Sequence, residues 1–402
     1  MIKFSSYQDT NTPWIGEIPT GWSLKSLKHI FTEKKSTKNP DLGCGSISFG
    51  KVIYKDDEKI PESTKESYQE VLDGEFLINP LNLNYDLRSL RIGLSRVNVV
   101  VSQGYIVLNI RDGFIPEYYE YLLRKFDVEH MKSLGQGVRQ TISYTHLKDE
   151  KLVVPPVEEQ LRISRYLDKK TIQIDSLIDK IEKKIELLKE QRTSLINQCV
   201  TKGLNPNVEM KDSGVEWIGV IPKHWSVIKL KYFYEIKTGR DPSSIYLEEG
   251  QFDVLGTGGV IGKTNTPMYE HTSLILGRKG TIDKPFIQTS PFWISDVVYY
   301  TIPKGFIDPK YLWFLFTQID FSYYKYGSTL PSMSSEEYEN MKFPLPPENE
   351  VRSIQTRLNE IDSRINSLIS SLEKKKSLLK EYRQSLISSA VTGKVRVTEE
   401  MI

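Results

Sequence analysis

Cysteine is nearly missing from this chain. Cys44 and Cys199 are the only two in 402 residues, far apart and in no metal or redox spacing. Histidine is scarce as well. His29, His130, His146, His224 and His271 are isolated, and none makes a metal-ligand pair with a Cys or another His. No apolar run approaches the ~20 residues that a membrane helix needs. No signal peptide is legible at the start, so the expected compartment is the cytoplasm and no membrane partner is expected. An excess of charge of one sign is also lacking, with a formal net charge of +2. Residues 1–153 hold 20 basic and 20 acidic groups, and residues 205–344 hold 14 and 16. Affinity for nucleic acid would have to come from local clusters, or be shared with a more basic partner.

Catalytic motifs are missing in the same way. Gly256-Thr-Gly-Gly-Val-Ile-Gly-Lys-Thr264 resembles a phosphate loop at first sight. A P-loop needs Gly five residues before the glycine of Gly-Lys-Thr; position 257 is Thr and Gly256 lies one residue too far. Asn79-Pro-Leu-Asn82 lacks the second proline and the aromatic of an adenine-methyltransferase Asn-Pro-Pro-aromatic motif. No glycine-rich loop is placed for S-adenosylmethionine. Cys199 falls on an apolar helix stripe and reads as core rather than as a nucleophile. The chain is therefore expected to have no catalytic residue, no bound metal and no cofactor of its own.

What is present is a repeat. Trp14-Ile-Gly-Glu-Ile-Pro-Thr-Gly-Trp22-Ser returns as Trp217-Ile-Gly-Val-Ile-Pro-Lys-His-Trp225-Ser at an offset of 203, and Leu27-Lys28 returns as Leu230-Lys231. Residues 154–201 match 345–392 without a gap at an offset of 191, including Leu187-Leu-Lys-Glu190 against Leu378-Leu-Lys-Glu381. Between them, Gly113-Phe-Ile115 answers Gly305-Phe-Ile307 and Tyr119 answers Tyr311. The interiors, roughly 32–110 and 235–302, barely agree. One scaffold thus carries two different heads.

The shared 48-residue blocks read as long helices. Pro155-Pro156 forbids helix before it and suits a start just after it. Apolar residues then fall at alternating steps of four and three, the pattern of a coiled-coil seam. In the first copy the seam includes Ile174, Ile178, Ile181, Ile185, Leu188 and Leu195, with Arg192 at one core-register position. In the second it includes Ile365, Ile369, Leu372, Leu379 and Leu386, interrupted by Lys376 and by Arg383, the mate of Arg192. Each helix should span roughly 65–70 Å at ~1.5 Å per residue. A two-fold relation between the halves makes their pairing antiparallel. An arginine at a seam position costs stability but can set register. Snorkelling to water is the competing account of both arginines.

The interiors read as strands and hairpins with one helix near 117–126, an α+β composition. Candidate DNA contacts are Arg88, Arg91 and Arg96 in the first head, with Gln136, Arg139 and Gln140 of Gly135-Gln-Gly-Val-Arg-Gln140. In the second they are Lys263 and Thr264, then Arg278 and Lys279 of Gly277-Arg-Lys-Gly280, then Lys284. Glycine lets backbone approach phosphate, Arg and Lys supply charge, and Arg and Gln can pair bidentately with base edges. Solvated turns, capping and packing explain the same residues equally well.

The ordered double set resembles the specificity subunit of type I restriction-modification enzymes. The resemblance rests on Trp14–Trp22 and its copy at 217–225, and on the two Pro-Pro-led helices. It rests also on the junction Val200-Thr-Lys-Gly-Leu-Asn-Pro206 and on Leu274-Ile-Leu-Gly-Arg-Lys-Gly-Thr281. It covers essentially the whole chain. It implies an α+β fold: two α/β target-recognition domains joined by two long helices in an antiparallel coiled coil, with a pseudo-two-fold internal repeat. The expected boundaries are 1–153 and 205–344 for the recognition domains, and 154–204 and 345–402 for the helical spacers. It also implies double-stranded DNA as ligand, two modification subunits, and restriction subunits reached through the complex. S-adenosylmethionine, ATP and Mg belong to those partners. Two other readings compete: a coiled-coil scaffold whose heads bind protein, and a self-contained DNA methyltransferase or nuclease with unrecognised motifs.

Overall fold

Each copy of the Pro-Pro segment opens a helix that runs without a break, from Val157 to Lys202 and from Glu348 to Val391. The computed structural model describes residues 2–402 except 57, 59, 82–89, 135–140 and 325–330. Contacts divide the chain into two units, Met1–Lys180 with Lys375–Ile402, and Ile181–Lys374. Each unit therefore holds one head, half of the first long helix and half of the second.

In the first unit a four-stranded antiparallel sheet runs in the order Phe31–Glu33, Ile106–Ile110, Phe76–Ile78, Ile92–Leu94. The helix Pro116–Glu129 covers it, started by a proline at its first turn. Tyr118, Tyr119, Leu122 and Phe126 of that helix are buried against Phe31 and Phe76. Beside the sheet, the hairpin Gly45–Ser48/Lys51–Tyr54 joins Val99–Val101 through a parallel bridge at Cys44–Val100. A second, smaller apolar cluster of Val52, Val71, Leu77, Val99, Val101 and Val107 fills the space beneath it.

The second unit repeats this plan. Its sheet runs Tyr234–Thr238, Val298–Pro303, Ser273–Gly277, Phe286–Gln288 under the helix Pro309–Phe316. The hairpin Phe252–Gly256/Gly259–Thr264 pairs in parallel with Phe292–Ile294. Strand order, hairpin and parallel pairing all correspond, although the interiors share almost no sequence.

The tryptophans explain why the shared blocks must be shared. Trp22 and Trp225 are buried, and each indole nitrogen donates to a carboxylate in the first turns of a long helix, Trp22 to Glu159 (3.0 Å) and Trp225 to Glu350 (2.9 Å). Glu159 and Glu350 are mates at the 191 offset. Just past the end of each long helix stands a glycine with positive φ, Gly203 (74°) and Gly393 (73°), as a left-handed helix cap requires. A Cβ on Gly203 would lie 3.0 Å from the Trp225 ring, and one on Gly393 only 2.4 Å from Pro19 and 3.0 Å from Trp22. Each head is thus held by one helix start and by the end of the other helix. In the first unit the chain end also returns to the chain start, where Arg396 N donates to Ile2 O and Tyr7 Oη to Gly393 O.

Within each unit the two helix halves pair antiparallel. In the first unit Ile174 and Ile178 share a core with Leu386, Ile387 and Ala390. Farther on, Arg162 nears Glu399 while Asp175 meets Arg383, so ascending numbers face descending ones. In the second unit Leu188 and Leu195 pack with Ile361, Ile365 and Ile369, and Arg192 meets Asp362 at 2.6 Å. Ile174, Ile178, Ile181, Ile185, Ile365 and Leu386 are buried; Leu188, Leu195, Ile369, Leu372 and Leu379 are half-buried. Neither seam arginine simply runs out to water. Arg383 makes a two-pronged pair with Asp175 at 2.8 and 3.1 Å, a geometry only the planar guanidinium offers. The two mates do not choose mated acceptors: Asp362 lies one turn before Asn366, the mate of Asp175.

Candidate nucleic-acid interface

The end of the first sheet where Ile78, Ile92 and Ile106 meet gathers three stretches that are distant in sequence. One is formed by residues 79–81 with Leu90 and Arg91, joined where Asn79 N donates to Arg91 O at 2.8 Å. The second is Ile142, whose amide donates to Pro80 O at 3.1 Å. The third is the tip of the hairpin Gly45–Tyr54, tied down where Gly50 N donates to Leu90 O at 3.1 Å. The second head makes the equivalent join. Gly280 N donates to Pro331 O (2.7 Å) and Met333 N to Arg278 O (3.0 Å), so the Gly277–Gly280 turn is held by the segment 331–333. Gly277 must be glycine there, because a Cβ would lie 2.3 Å from the Thr281 carbonyl. Tyr338, buried, donates to the Gly277 carbonyl at 2.9 Å and fixes the turn from below.

Within this frame the candidate residues separate. Lys279 is exposed on the braced turn and Lys284 beyond it, and Arg278 is half-exposed with one guanidinium nitrogen on the Asp296 carbonyl at 3.0 Å. These three retain the reach and charge that contact with DNA needs. Arg96 is exposed but lies between Glu117 (3.2 Å) and Glu120 (3.5 Å), which offset its charge. Lys263 is paired with Asp253 at 2.7 Å. Two expectations need correcting. Arg91 is buried, with Nη1 donating to the Leu81 carbonyl at 2.7 Å, and Thr264 is 1% exposed with its hydroxyl accepting from Thr266 N. Burial takes both out of reach of a base edge and makes them anchors for their loops. Arg88, Gln136, Arg139 and Gln140 lie outside the described residues.

The Arg91 anchor rests on Asp127, which is fully buried and accepts the Arg91 amide. Burial raises the Asp127 carboxyl to about 6, against the lowering effect of the Arg91 and Ile92 amides and of the Lys132 and Arg91 charges. The segment 256–264 that resembled a phosphate loop is a β-hairpin with no following helix, so its glycines serve a turn and not a nucleotide. Cys199 is buried and its thiol is pushed up by desolvation, as expected of core. No group of three or more metal-ligating side chains occurs among the described residues.

Composition gave no warning of one surface. The two equivalent hairpins carry exposed apolar side chains: Phe49, Ile53 and Tyr54 in the first head, Tyr246, Val260 and Ile261 about the second. The legible signal was small, a Phe-Gly pair between two short β-prone runs.

Known proteins share this architecture. The family model described as "Type I restriction modification DNA specificity domain" matches residues 19–187 and again 222–381. A protein of Methanocaldococcus jannaschii with the provisional name type I restriction enzyme MjaX specificity subunit is 25% identical, with 99% of each chain covered. The type I restriction enzyme MjaVIII specificity subunit of the same organism is 24% identical over 74% of this chain and 75% of its own. Among solved structures, a chain described under the complex assembly and conformational transition of the type I R-M system superposes with a TM-score of 0.73. It is 15% identical, covering 94% of this chain and 99% of that one. The HsdS subunit from Thermoanaerobacter tengcongensis gives 0.52 at 15% identity, covering 94% and 98%. With both copies of the domain matched in order, and with the helices and heads of that fold in place, the chain belongs to the type I restriction-modification DNA specificity family, as a non-catalytic specificity subunit.

Proposed function

We propose that each head reads one half of a bipartite double-stranded DNA site while the paired helices set the gap between the halves. One observation carries the reading: the heads share strand order, hairpin and bracing turn, yet differ in nearly every side chain outside the Trp motifs and helices. A repeated frame with unlike faces suits two unlike half-sites. The domains that do this are 1–153 and 205–344, with 154–204 and 345–402 as spacers. Arg278, Lys279 and Lys284 are the described side chains best placed to touch the second half-site.

The helices offer the complementary surface. Leu177 and Leu368 are mates and both are 46% exposed; Leu187 and Leu378 are mates and both are 54% exposed. Large apolar side chains repeated at equal exposure suit two copies of one partner. Those copies are the modification subunits, which bring S-adenosylmethionine; restriction subunits bring ATP and Mg. The protein then works on DNA in the cytoplasm. No described helix is long and apolar enough to cross a membrane.

The test is a head exchange read by methylome sequencing. Replacing 32–150 with the corresponding block of a relative should change one methylated half-site and leave the other and the gap intact. A change in both half-sites would refute separate reading.

A further inference from the structure

From the hairpin tip of the first head we infer that Phe49 is a DNA-stacking wedge, inserted between base steps of one half-site. This rests on the reading above and adds a residue and a mode of contact to it.

Phe49 is the most exposed of the described large apolar side chains, at 79%. It also sits in a backbone conformation that bulky residues avoid. Ser48 pairs with Lys51, so Phe49-Gly50 is a two-residue turn, and both have positive φ, 47° and 74°. Such turns favour Asn-Gly or Asp-Gly, because Asn and Asp tolerate the left-handed region where a phenyl-bearing residue is strained. Packing does not repay that cost, since the ring lies in solvent. Strain without a compensating contact in the free protein points to a use outside it.

The tip is also held still. A Cβ on Gly93 would come 2.7 Å from the Gly50 carbonyl, and one on Gly45 2.6 Å from Val99. Those glycines let the hairpin lie tight on its neighbours, while Gly50 N is bonded to Leu90 O. A rigid turn carrying an apolar ring is the form in which a wedge can unstack bases without losing much conformational freedom.

DNA is favoured over a protein occupant by comparison of the halves. Surfaces that face two identical partners should be repeated, as Leu177/Leu368 and Leu187/Leu378 are. The tip is not repeated. The topologically equivalent turn of the second head is Thr257-Gly258. What differs between the heads should face what differs between the half-sites. The tip also lies at the sheet end where Pro80, Leu90 and Ile142 come together.

The experiment uses the chain in complex with its modification subunit, and duplexes carrying the site mapped by the wild-type methylome, with 2-aminopurine placed in turn along both half-sites. Wild type should raise 2-aminopurine fluorescence at one step of one half-site only. Phe49→Ala should abolish that rise and weaken binding roughly 5- to 100-fold, the range for loss of one base–aromatic stack. Phe49→Asn should do the same to DNA while leaving Tm unchanged or higher, because it relieves the turn. Assembly with the modification subunit, followed by gel filtration, should be the same for all three. The inference falls if Phe49→Ala binds within twofold of wild type with the same fluorescence, if Phe49→Asn lowers Tm, or if the variants lose assembly rather than DNA. A wild-type complex that methylates and binds no site would instead overturn the functional reading beneath it.

Discussion

The two heads have one fold and two surfaces, and the line between what they share and what they do not follows physical need. The shared tryptophans meet partners that are also shared. Trp22 meets Glu159 as Trp225 meets Glu350, and each long helix ends on a left-handed glycine packed beside one of those rings. Unshared residues lie on the hairpins, on the braced turns, and in the fillings beneath them. The first head buries an aspartate, Asp127, where the second has Ile319 at the 192 offset. A fold can thus be held by a few repeated contacts while its reading surface is rewritten.

The largest effects should come from those repeated contacts. Trp22→Ala and Trp225→Ala should each cost about 3–5 kcal/mol, the usual loss for a buried aromatic. Denaturant unfolding of each head's transition should give values within about 1 kcal/mol of one another. A large loss in one head and little in the other would break the equivalence of the two joins.

Next comes a difference of pH. The Asp127 carboxyl is raised by burial to about 6, above its ordinary value of 3.8. The folded first head therefore holds the proton more tightly than the unfolded chain does. That contribution is fully present below about pH 4 and is lost as pH rises through about 6. Relative to Asp127→Asn, wild type should lose on the order of 2–3 kcal/mol between pH 4 and 7. The second head, with Ile319, should show no such dependence. Equal pH profiles for wild type and variant would show that the buried carboxylate is matched by its partners.

The helix-end glycines should separate by less. Gly203→Ala and Gly393→Ala both force alanine to positive φ, at about 1–3 kcal/mol. Gly393→Ala should be the worse, because its Cβ would strike Pro19 at 2.4 Å while that of Gly203 approaches only an indole edge at 3.0 Å. Thermal melts of the two variants in parallel decide the order. Smallest of all are the seam arginines. Double-mutant cycles for Arg192–Asp362 and Arg383–Asp175 should give couplings of about 0.2–1 kcal/mol, falling with salt. The first should be the larger, since Asp362 is 13% exposed and Asp175 is 51%. Equal couplings would mean that burial does not distinguish the mates.

Much of this was legible in residues alone. A gapless 48-residue match at an offset of 191, Pro155-Pro156 before a four-three stripe, and two Trp motifs were enough for the repeat, the helices and their antiparallel sense. The site was less legible. Arg91 and Arg96 look alike in sequence, yet one is buried against a carbonyl and the other stands between two carboxylates. Lys263-Thr264 and Lys279 look equally able to touch phosphate, yet only Lys279 stays free of an internal ion pair and exposed. Composition cannot show such differences, because they depend on which chain segment lies across the gap.

The sequence by itself determined the periodic features. A helix or a repeat is a pattern along the chain: helix contacts join residues three or four places apart, and a repeat shows as the same residues returning 191 places on. Tertiary structure alone decided which glycines touch tryptophan, which carboxylate each seam arginine takes, and that Phe49 stands in solvent on a strained turn. Those outcomes depend on non-local packing, where an approach of a few tenths of an ångström separates a contact from a clash.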